Sequence, residues 1–365
     1  MSRKIVSLNG LWNYEVNGKS MGYKQVPFSA LCVGRSVCET EFVRPEGKRC
    51  FLCFEGITYA AEVFINGHCL GKMLAYSFYR FDVTALLNEK HNVLRVEVED
   101  MNLPFGPSEG WENYGGIIRD VYLLVTDDVM IEDVIWRTEV EADQSAAQCT
   151  VEVELNGGEG NVKVTLHDHF GRPVFCTRQS SKAGKAILRF GLDNPQLWSP
   201  DMPCLYSLTV GVGTDEVTER VGIKDFRAVG QRFFLNGQPL FLKGVCRHDL
   251  YGDVGHTIKR EQAERDMRLI KATGCDFVRL VHYPHDRQIL ELADEIGLLV
   301  SEEPGLWWSN MHRPETTKGA LEVMRRVVKR DRNRVSVAFW LCFNECEYTP
   351  EFIRRSSDTC RALDP

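Results

Sequence analysis

This sequence lacks long hydrophobic runs, an excess of basic residues and any regular spacing of cysteines. No stretch approaches the roughly 20 apolar residues that a membrane-spanning helix needs. The start, "MSRKIVSLNGLWNYEV", turns polar after a few apolar residues, which is not typical of a signal peptide. The net charge of −7 argues against nucleic-acid binding. We therefore expect neither a membrane nor a nucleic acid as a partner.

The thirteen cysteines are an odd number without a regular spacing. This pattern fits reduced thiols in a cytosol better than a disulfide framework, so we expect a cytoplasmic protein. Cys50 and Cys53 form a lone CxxC in the strand-like "RCFLCFEG", where residues three apart point to opposite faces. With no second pair of cysteines we expect no zinc site there.

One segment is concentrated in basic residues, "MRRVVKRDRNR" from Met324 to Arg334. Its charges are spaced as they are on one face of a helix, and basic residues favour the last turn of a helix. The segment therefore predicts a solvated helix end.

The length of 365 residues favours two or three domains. Residues 1–128 read as short strands and turns, with a hairpin in "AEVFINGHCLGKM" at Asn66-Gly67 and alternation in "HNVLRVEVED". This pattern predicts a β-sandwich of jelly-roll type. Residues 129–226 repeat the pattern over a length that fits an immunoglobulin-like sandwich.

Residues 227–365 change to alternating strands and helices. "QRFFLNGQPLFLKGVCRHD" predicts a hairpin that leads into a buried strand, and three further strands follow in "CDFVRLVHYP", "LLVSEEPG" and "VSVAFWL". The intervening segments have helical spacing of apolar residues. Alternation of this kind predicts a parallel sheet whose strands are buried on both faces.

Side chains able to bind ligands or transfer protons follow each of the four predicted parallel strands. Ligands of parallel α/β folds bind at the carboxyl ends of the strands, so these side chains should converge on one rim. In chain order they are Cys246, Arg247, His248 and Asp249; Arg279, His282, Tyr283 and Pro284; Glu302 and Glu303, with Trp307 and Trp308 behind them; and Asn344 and Glu345.

Most of these residues also have a purely structural interpretation. His282 can cap a strand, the Glu302–Glu303 pair can lie in a solvated loop, and Trp307–Trp308 can belong to the core. Glu345 alone is compatible with a surface loop. Arg279 is harder to explain in this way, because a guanidinium in an apolar strand needs a carboxylate partner.

Two kinds of hydrolase compete for this rim. A metal-dependent enzyme would use paired imidazoles, but the sequence has no HxH or HExxH. The histidines available to such a site are His248, His256, His282, His285 and His312. Glycoside hydrolysis fits better, because it needs two carboxyl groups, and aromatic faces beside them suit a sugar ring. This chemistry requires no metal and no cofactor.

Several longer motifs resemble glycoside hydrolase family 2, the β-galactosidase and β-glucuronidase family. "NPQLWSPDMPCLYSLTV" resembles the family's "P-x-LWSPE-x-P-x-LY", and "FLNGQPLFLKGVCRHD" resembles "NGKP-x-x-LKGVNRHE". "CDFVRLVHYPHD" is similar to "NAVRxSHYP", "RDRNRVSVAFWLCFNE" to "RDRNHPSVxxWSLGNE", and "GGIIRDVYL" to the closing strand of the first domain. The resemblance covers essentially the whole chain.

The resemblance implies a jelly-roll-like sugar-binding domain, an immunoglobulin-like sandwich and the first half of a (β/α)8 TIM barrel. It implies a retaining exo-glycosidase with Glu345 as the general acid/base and Asn344 at the sugar 2-hydroxyl. His282 and Arg279 would shape the sugar subsite, with His248 and Trp308 on the same rim. For a proton donor we expect Glu345 to be buried near other carboxylates.

The sequence also departs from the family pattern. The usual Asn of "GVNRHE" is Cys246, the usual Glu is Asp249, and the usual Gly before Asn-Glu is Phe343. A loop carboxylate of the first domain that often reaches the sugar is not clearly matched, although Glu109 and Glu112 lie nearby. We expect β-galactosides as substrates, or β-glucuronides as the second choice, and a homo-oligomer stays an open alternative.

A full barrel takes about 250 residues, whereas residues 227–365 accommodate four βα units. The family's nucleophile, a glutamate near the seventh strand, has no counterpart here. We therefore expect this chain to be the N-terminal part of a longer enzyme and to be inactive alone. The alternative is a non-catalytic carbohydrate-binding protein with an incomplete barrel.

Overall fold

The computed structural model of this chain describes residues 3–101 and 113–365. The first region contains two packed antiparallel sheets. Its strands are β1 (Lys4–Ser7), β2 (Gly10–Val16), β3 (Lys19–Val26), β4 (Ala30–Leu31), β5 (Arg35–Phe42), β6 (Arg49–Phe54), β7 (Ala60–Ile65), β8 (His68–Leu74), β9 (Tyr79–Asp82), β10 (Asn92–Glu99), β11 (Tyr114–Gly115) and β12 (Val121–Thr126).

The larger sheet of this sandwich has the strand order β3-β2-β5-β10-β7-β8 and the smaller one β1-β12-β6-β9, while β4 pairs with β11. In β10 every second side chain is buried, among them Leu94, Val96 and Val98, which confirms the alternation predicted for "HNVLRVEVED". Cys50 and Cys53 of β6 belong to different hydrophobic clusters, so their thiols lie on opposite faces of the strand, as predicted.

The predicted hairpin at Asn66-Gly67 is confirmed. β7 ends at Ile65 and β8 begins at His68, and the two turn residues have φ angles of 50° and 81°. Positive φ at both central positions is the geometry of a two-residue turn between antiparallel strands.

The second region is a smaller antiparallel sandwich. Its sheets have the orders β13-β14-β17 and β16-β15-β18-β19, and their facing side chains form one hydrophobic cluster. The strands are β13 (Met130–Val140), β14 (Ala146–Asn156), β15 (Asn161–His167), β16 (Pro173–Ser180), β17 (Lys185–Asp193), β18 (Tyr206–Val212) and β19 (Asp215–Val221).

The third region opens with an antiparallel sheet and continues with four parallel strands, each followed by a helix. The antiparallel strands are β20 (Phe226–Val229), β21 (Arg232–Leu235) and β22 (Gln238–Leu240). The parallel part consists of β23 (Gly244–Arg247), α1 (Arg260–Ala272), β24 (Phe277–Leu280), α2 (Arg287–Ile296), β25 (Leu299–Glu302), α3 (Pro314–Asp331), β26 (Val337–Trp340) and α4 (Pro350–Leu363).

The parallel strands stand side by side in chain order, β23-β24-β25-β26, as in the first half of a (β/α)8 barrel. The four helices that the sequence predicts are all present. None of the helices within the described residues is long and apolar enough to cross a membrane.

The expectation that all four parallel strands are buried was wrong for the two outer ones. β25 is fully buried, whereas three of the four residues of β23 are exposed and β26 is only half-buried. Among the described residues β23 and β26 each have one neighbouring parallel strand, while β24 and β25 have two. An edge position leaves one side of a strand uncovered, so hydrophobic sequence alone does not bury it.

The expectation of a solvated helix end at "MRRVVKRDRNR" was also wrong. The side chains of Arg330 and Arg332 are each only 4% exposed. Arg332 contacts Asp133 of the second sandwich at 2.5 Å, and Arg326 donates to the backbone carbonyl of Phe78 in the first. The basic end of α3 therefore lies where the three regions meet.

Candidate active site

Several of the polar residues predicted at the strand ends lie on one rim of the parallel sheet. Arg279 extends from β24, and His282 follows directly after it in the loop that leads to α2. Glu303 stands one residue beyond β25. Asn344 and Glu345 lie in the loop between β26 and α4. Because parallel strands end at the same edge, residues that are far apart in sequence become neighbours here.

Arg279 is the centre of this cluster. Its Nε donates to Glu303 Oε1 at 2.6 Å, and its Nη2 donates to Asn344 Oδ1 at 2.9 Å. His282 Nδ1 lies 3.2 Å from the other oxygen of Glu303. Side chains from three strand ends are thus joined by charge-assisted hydrogen bonds, which are shorter and stronger than neutral ones.

The bond to Arg279 fixes the orientation of the Asn344 amide. A guanidinium can only donate, so the atom that faces it must be the amide oxygen. The Asn344 Nδ2 atom is buried and has no hydrogen-bond partner among the described residues. A buried donor without a partner is costly, and at a strand end it is a candidate for contact with a ligand.

Glu345 is exposed, so the expectation that it is buried was wrong. It lies beyond β26, which is an edge strand in the described part of the sheet. Its backbone is nevertheless held in place, because its carbonyl accepts a hydrogen bond from the Trp308 N–H at 2.9 Å. Both residues have positive φ, 43° for Glu345 and 49° for Trp308, a conformation that non-glycine residues adopt at a cost.

His248 approaches the cluster from the end of β23. Its ring lies edge-on to that of His282, with centroids 5.6 Å apart, and its Nδ1 is 3.5 Å from the Tyr283 hydroxyl. Burial, and next the neighbouring His282, lower the pKa of His248. An imidazole with a lowered pKa is neutral at pH 7 and can exchange hydrogen bonds with sugar hydroxyls.

The pair Glu302–Glu303 is buried, so the alternative of a solvated loop pair was wrong. Successive residues at the strand end point to opposite sides, which brings Glu303 to Arg279 and sends Glu302 towards α3. Burial, and next the charge of Asp331, raise the pKa of Glu302 well above its ordinary value. Glu302 is therefore a structural residue behind the rim.

The two neighbouring tryptophans also differ in burial. Trp307 is buried and packs against Tyr283, with ring centroids 6.0 Å apart, so the core interpretation holds for this residue. Trp308 is 61% exposed beside the backbone of Glu345. Its indole is the one of the pair that can offer a face to a sugar ring.

Two contributors to this region were missed by sequence reasoning. Glu303 was not identified as the carboxylate partner of Arg279, although the need for such a partner was recognised. Arg119, in the loop before β12, is buried and donates to the backbone carbonyls of Tyr76 at 3.1 Å and Pro284 at 2.7 Å. Like Arg279, this arginine stands in an apolar segment, "GGIIRDVYL", where a guanidinium needs a polar partner, and the sequence could have shown it in the same way.

The histidines considered for a metal site do not gather around one point. His282 and His248 lie at the rim, whereas His256 and His285 are fully buried and bond to backbone carbonyls of Asp249 and Val281. No group of three or more potential metal ligands occurs in residues 3–101 and 113–365. The loop carboxylates Glu109 and Glu112 lie outside the described residues.

Comparisons with known proteins identify the same family for each region. A profile described as "Glycosyl hydrolases family 2, TIM barrel domain" matches residues 226–365, and one described as "Glycosyl hydrolases family 2" matches residues 129–224. A "Glycosyl hydrolase 2 galactose-binding domain-like" profile matches residues 33–104.

Individual relatives support these matches. The chain is 30% identical over 343 residues to a β-galactosidase of Thermoanaerobacter pseudethanolicus, covering 88% of this chain and 46% of the relative. It is 29% identical over 362 residues to a β-glucuronidase of Bacteroides fragilis, covering 89% and 52%. The structure resembles that of Parabacteroides merdae β-glucuronidase with a TM-score of 0.89 at 21% identity, covering 99% of this chain and 56% of the other. The chain spans about half the length of the curated relatives it matches.

Proposed function

Because the chain belongs to glycosyl hydrolase family 2, we propose that the rim around Arg279 is part of the active site of a retaining β-glycosidase. In this mechanism Glu345 protonates the leaving oxygen and later deprotonates the attacking water. Asn344 donates its amide N–H to the 2-hydroxyl of the sugar. The observation that carries the proposal is the fixed Asn344 amide, oriented by Arg279 and adjacent in sequence to an accessible carboxylate.

The other rim residues have distinct positioning roles in this proposal. Arg279 pairs with Glu303 and donates to the Asn344 oxygen, which fixes the orientation of the amide. His282 and His248 supply hydrogen bonds to the remaining hydroxyls. Trp308 offers an apolar face to the sugar or to the leaving group.

We propose a neutral β-galactoside as the first choice of substrate and a β-glucuronide as the second. Arg279 is already neutralised by Glu303 at 2.6 Å, and Arg247 at the end of β23 is buried and paired with Asp249 at 3.0 Å. A uronic acid carboxylate would need a cation that is free to pair with it. The ratio of kcat/KM for 4-nitrophenyl β-galactoside and β-glucuronide tests this choice.

The nucleophile in this proposal is a glutamate outside residues 1–365. Glu303 is unsuited to the role, because both its oxygens are engaged by Arg279 and His282. We therefore expect the 365-residue chain alone to bind β-glycosides without hydrolysing them. Turnover by this chain that disappears in Glu345→Gln would contradict this expectation. Binding without turnover, in a protein that has no longer native form, would favour a carbohydrate-binding protein instead.

The role of Glu345 is tested by the pH dependence of kcat/KM in the enzyme as its native source produces it. Glu345→Gln should remove the limb of the pH–rate profile that reports deprotonation of the acid, and should lower activity by about 10²–10⁴-fold. Glu347→Gln is a matched control, since Glu347 is also exposed and lies two residues further along the same loop. A pH–rate profile unchanged by Glu345→Gln would contradict the assignment of Glu345 as the acid/base.

A further inference from the structure

The basic end of α3 is not part of the proposed active site, yet it is built into the centre of the molecule. Asn333 donates to the backbone carbonyl of Val134 at 2.7 Å, and Arg332 contacts Asp133 at 2.5 Å. Arg326 donates to the carbonyl of Phe78 at 2.9 Å. These contacts join the helix to both sandwiches, so its basic side chains line the space between the three regions.

This space is a cavity of about 630 Å³. Small-molecule sites typically measure about 300–1,000 Å³, so the cavity is large enough for a ligand. Eight basic and five acidic side chains line it, in a chain whose net charge is −7. Among the side chains that line the cavity, basic residues therefore outnumber acidic ones.

Two of the lining cations, Arg3 and Arg330, pair with carboxylates that do not line the cavity, Asp215 and Asp331. Each of the five carboxylates already contacts a basic side chain. Arg325 and Arg326 share one carboxylate, that of Glu322. Lys329 only approaches Asp133, at 4.0 Å, and Asp133 is held more closely by Arg332.

Arg287 is the cation of this cavity that most clearly lacks a paired carboxylate. It lines the cavity, and its guanidinium makes no hydrogen bond or ion pair with any residue that the structure describes. Its strongest electrostatic neighbour is Glu55, whose carboxylate accepts a hydrogen bond from the Tyr122 hydroxyl at 2.8 Å.

We propose that this junction cavity binds a phosphate-bearing anion, with Arg287 and Lys329 as its direct contacts. A guanidinium presents paired N–H donors that match two phosphate oxygens, and an ammonium adds a compact point charge. The ligand would bridge α2, α3 and the two sandwiches, so its binding stabilises the contact between the three regions.

Calorimetric titration of the purified protein with inorganic pyrophosphate tests the proposal. We expect saturable binding that is weakened about tenfold or more by Arg287→Gln, as the loss of one charge-assisted contact implies. Arg189→Gln is the matched control, because Arg189 is an exposed arginine of β17 that does not line the cavity. Inorganic phosphate, titrated in parallel, separates a site for free phosphate from a site that needs a longer phosphate chain.

The proposal is overturned if pyrophosphate does not bind at millimolar concentration, or if Arg287→Gln and Arg189→Gln bind it as the unaltered protein does. Sodium chloride at the same ionic strength must not reproduce the effect, since general screening would then explain it. If Arg287→Gln fails to fold, Lys329→Gln and the charge-conserving Arg287→Lys replace it. We expect Lys329→Gln to weaken binding and Arg287→Lys to retain most of it, and equal affinity in all three proteins would overturn the proposal.

Discussion

At the scale of single residues, the two ends of the Asn344 amide have different tasks. Its oxygen accepts from Arg279 at 2.9 Å, which determines the rotamer, while its nitrogen has no partner among the described residues. In the proposed mechanism a substrate hydroxyl accepts a hydrogen bond from this nitrogen. The hydrogen bond gains most in the transition state, when charge develops at the neighbouring anomeric carbon.

Asn344→Ala should therefore act through one hydroxyl of the substrate. We expect kcat/KM for a β-galactoside to fall about 10- to 100-fold, the effect of losing a hydrogen bond worth about 1–3 kcal/mol. For the corresponding 2-deoxy substrate the loss should be at most a few-fold, because the partner group is absent. Steady-state kinetics of both proteins on both substrates checks this, and equal losses on the two substrates would refute it.

His256 predicts a pH dependence of stability. Burial lowers the pKa of His256 to about 4, and its Nδ1 bonds to the Asp249 carbonyl at 2.9 Å. In the unfolded chain the pKa is about 6.5, so between these values only the unfolded state binds the proton. The contribution of neutral His256 is present above pH 6.5 and is lost as the pH falls towards 4, by about 3 kcal/mol.

His256→Asn keeps a donor for the Asp249 carbonyl but cannot take up a proton. We expect urea unfolding of this variant to depend less on pH between 7 and 4 than that of the unaltered protein. His68→Asn, at an exposed position, serves as the control and should leave the pH dependence unchanged. Parallel curves for His256→Asn and the unaltered protein would contradict the assignment.

The residue types of the rim could be predicted from sequence, but several of their environments could not. Arg279 and Asn344 were expected there and lie in one hydrogen-bonded cluster. The partner of Arg279 was not identified, because Glu302 ends β25 and Glu303 follows it, and only the direction of each side chain decides which one faces the rim. The exposure of Glu345 depends on what covers an edge strand, which local sequence does not specify.

At the scale of elements, the loops after β25 and β26 form a single backbone unit. The Trp308 N–H donates to the Glu345 carbonyl at 2.9 Å, the Glu347 N–H to the Ser309 carbonyl at 3.0 Å, and the Met311 N–H to the Glu347 carbonyl at 2.7 Å. These bonds fix the position of Glu345 without using its side chain. The carboxylate therefore stays accessible while its backbone is held.

Substitutions of Trp308 should distinguish the contribution of its backbone conformation to stability from the contribution of its indole ring to substrate binding. Its φ of 49° suits glycine, so Trp308→Gly should be more stable than Trp308→Ala by about 1 kcal/mol. Both variants lack the exposed ring and should raise KM for a β-glycoside to the same extent. Thermal unfolding and kinetics together test this. A raised KM in Trp308→Ala alone would mean that the backbone, not the indole, matters for binding.

The element pattern could be predicted where local chemistry determines it. The end of α2 is an example, since Gly297 closes the helix with a φ of 83°, and glycine after an apolar periodic segment is typical of a helix end. Burial of the edge strands and of the basic end of α3 could not be predicted in this way. Charges at helical spacing look the same whether they meet water or carboxylates of another region.

At the scale of the whole molecule, Arg119 connects the first sandwich to the rim. It bonds to the carbonyl of Pro284 and lies 3.8 Å from Asp249 and 3.6 Å from Asp286. Pro284 follows His282 and Tyr283, so the first sandwich helps to position the loop that carries the rim histidine. Burial opposes ionisation of Asp249, yet His285, Arg247 and Arg119 keep its pKa below its usual range.

Arg119→Gln should destabilise the whole assembly, because it removes a buried cation beside Asp249 and Asp286 that also donates to the carbonyls of Tyr76 and Pro284. We expect a loss of about 3–5 kcal/mol in urea unfolding. Arg95→Gln, which breaks only surface contacts with Glu39 and Glu97, should cost about 1 kcal/mol or less. Similar effects of the two substitutions would show that Arg119 does not hold the regions together.

The most direct test of the account compares substrates with good and poor leaving groups in the enzyme as its native source produces it. A 2,4-dinitrophenolate leaves without a proton, whereas an alkoxide needs the acid that Glu345 supplies. We predict that Glu345→Gln lowers kcat/KM about 10²–10⁴-fold for an alkyl β-galactoside. Its effect on the dinitrophenyl β-galactoside should be much smaller, and added azide should accelerate turnover of that substrate. An equal loss on both substrates, or no loss on either, would contradict the assignment of Glu345 as the acid/base.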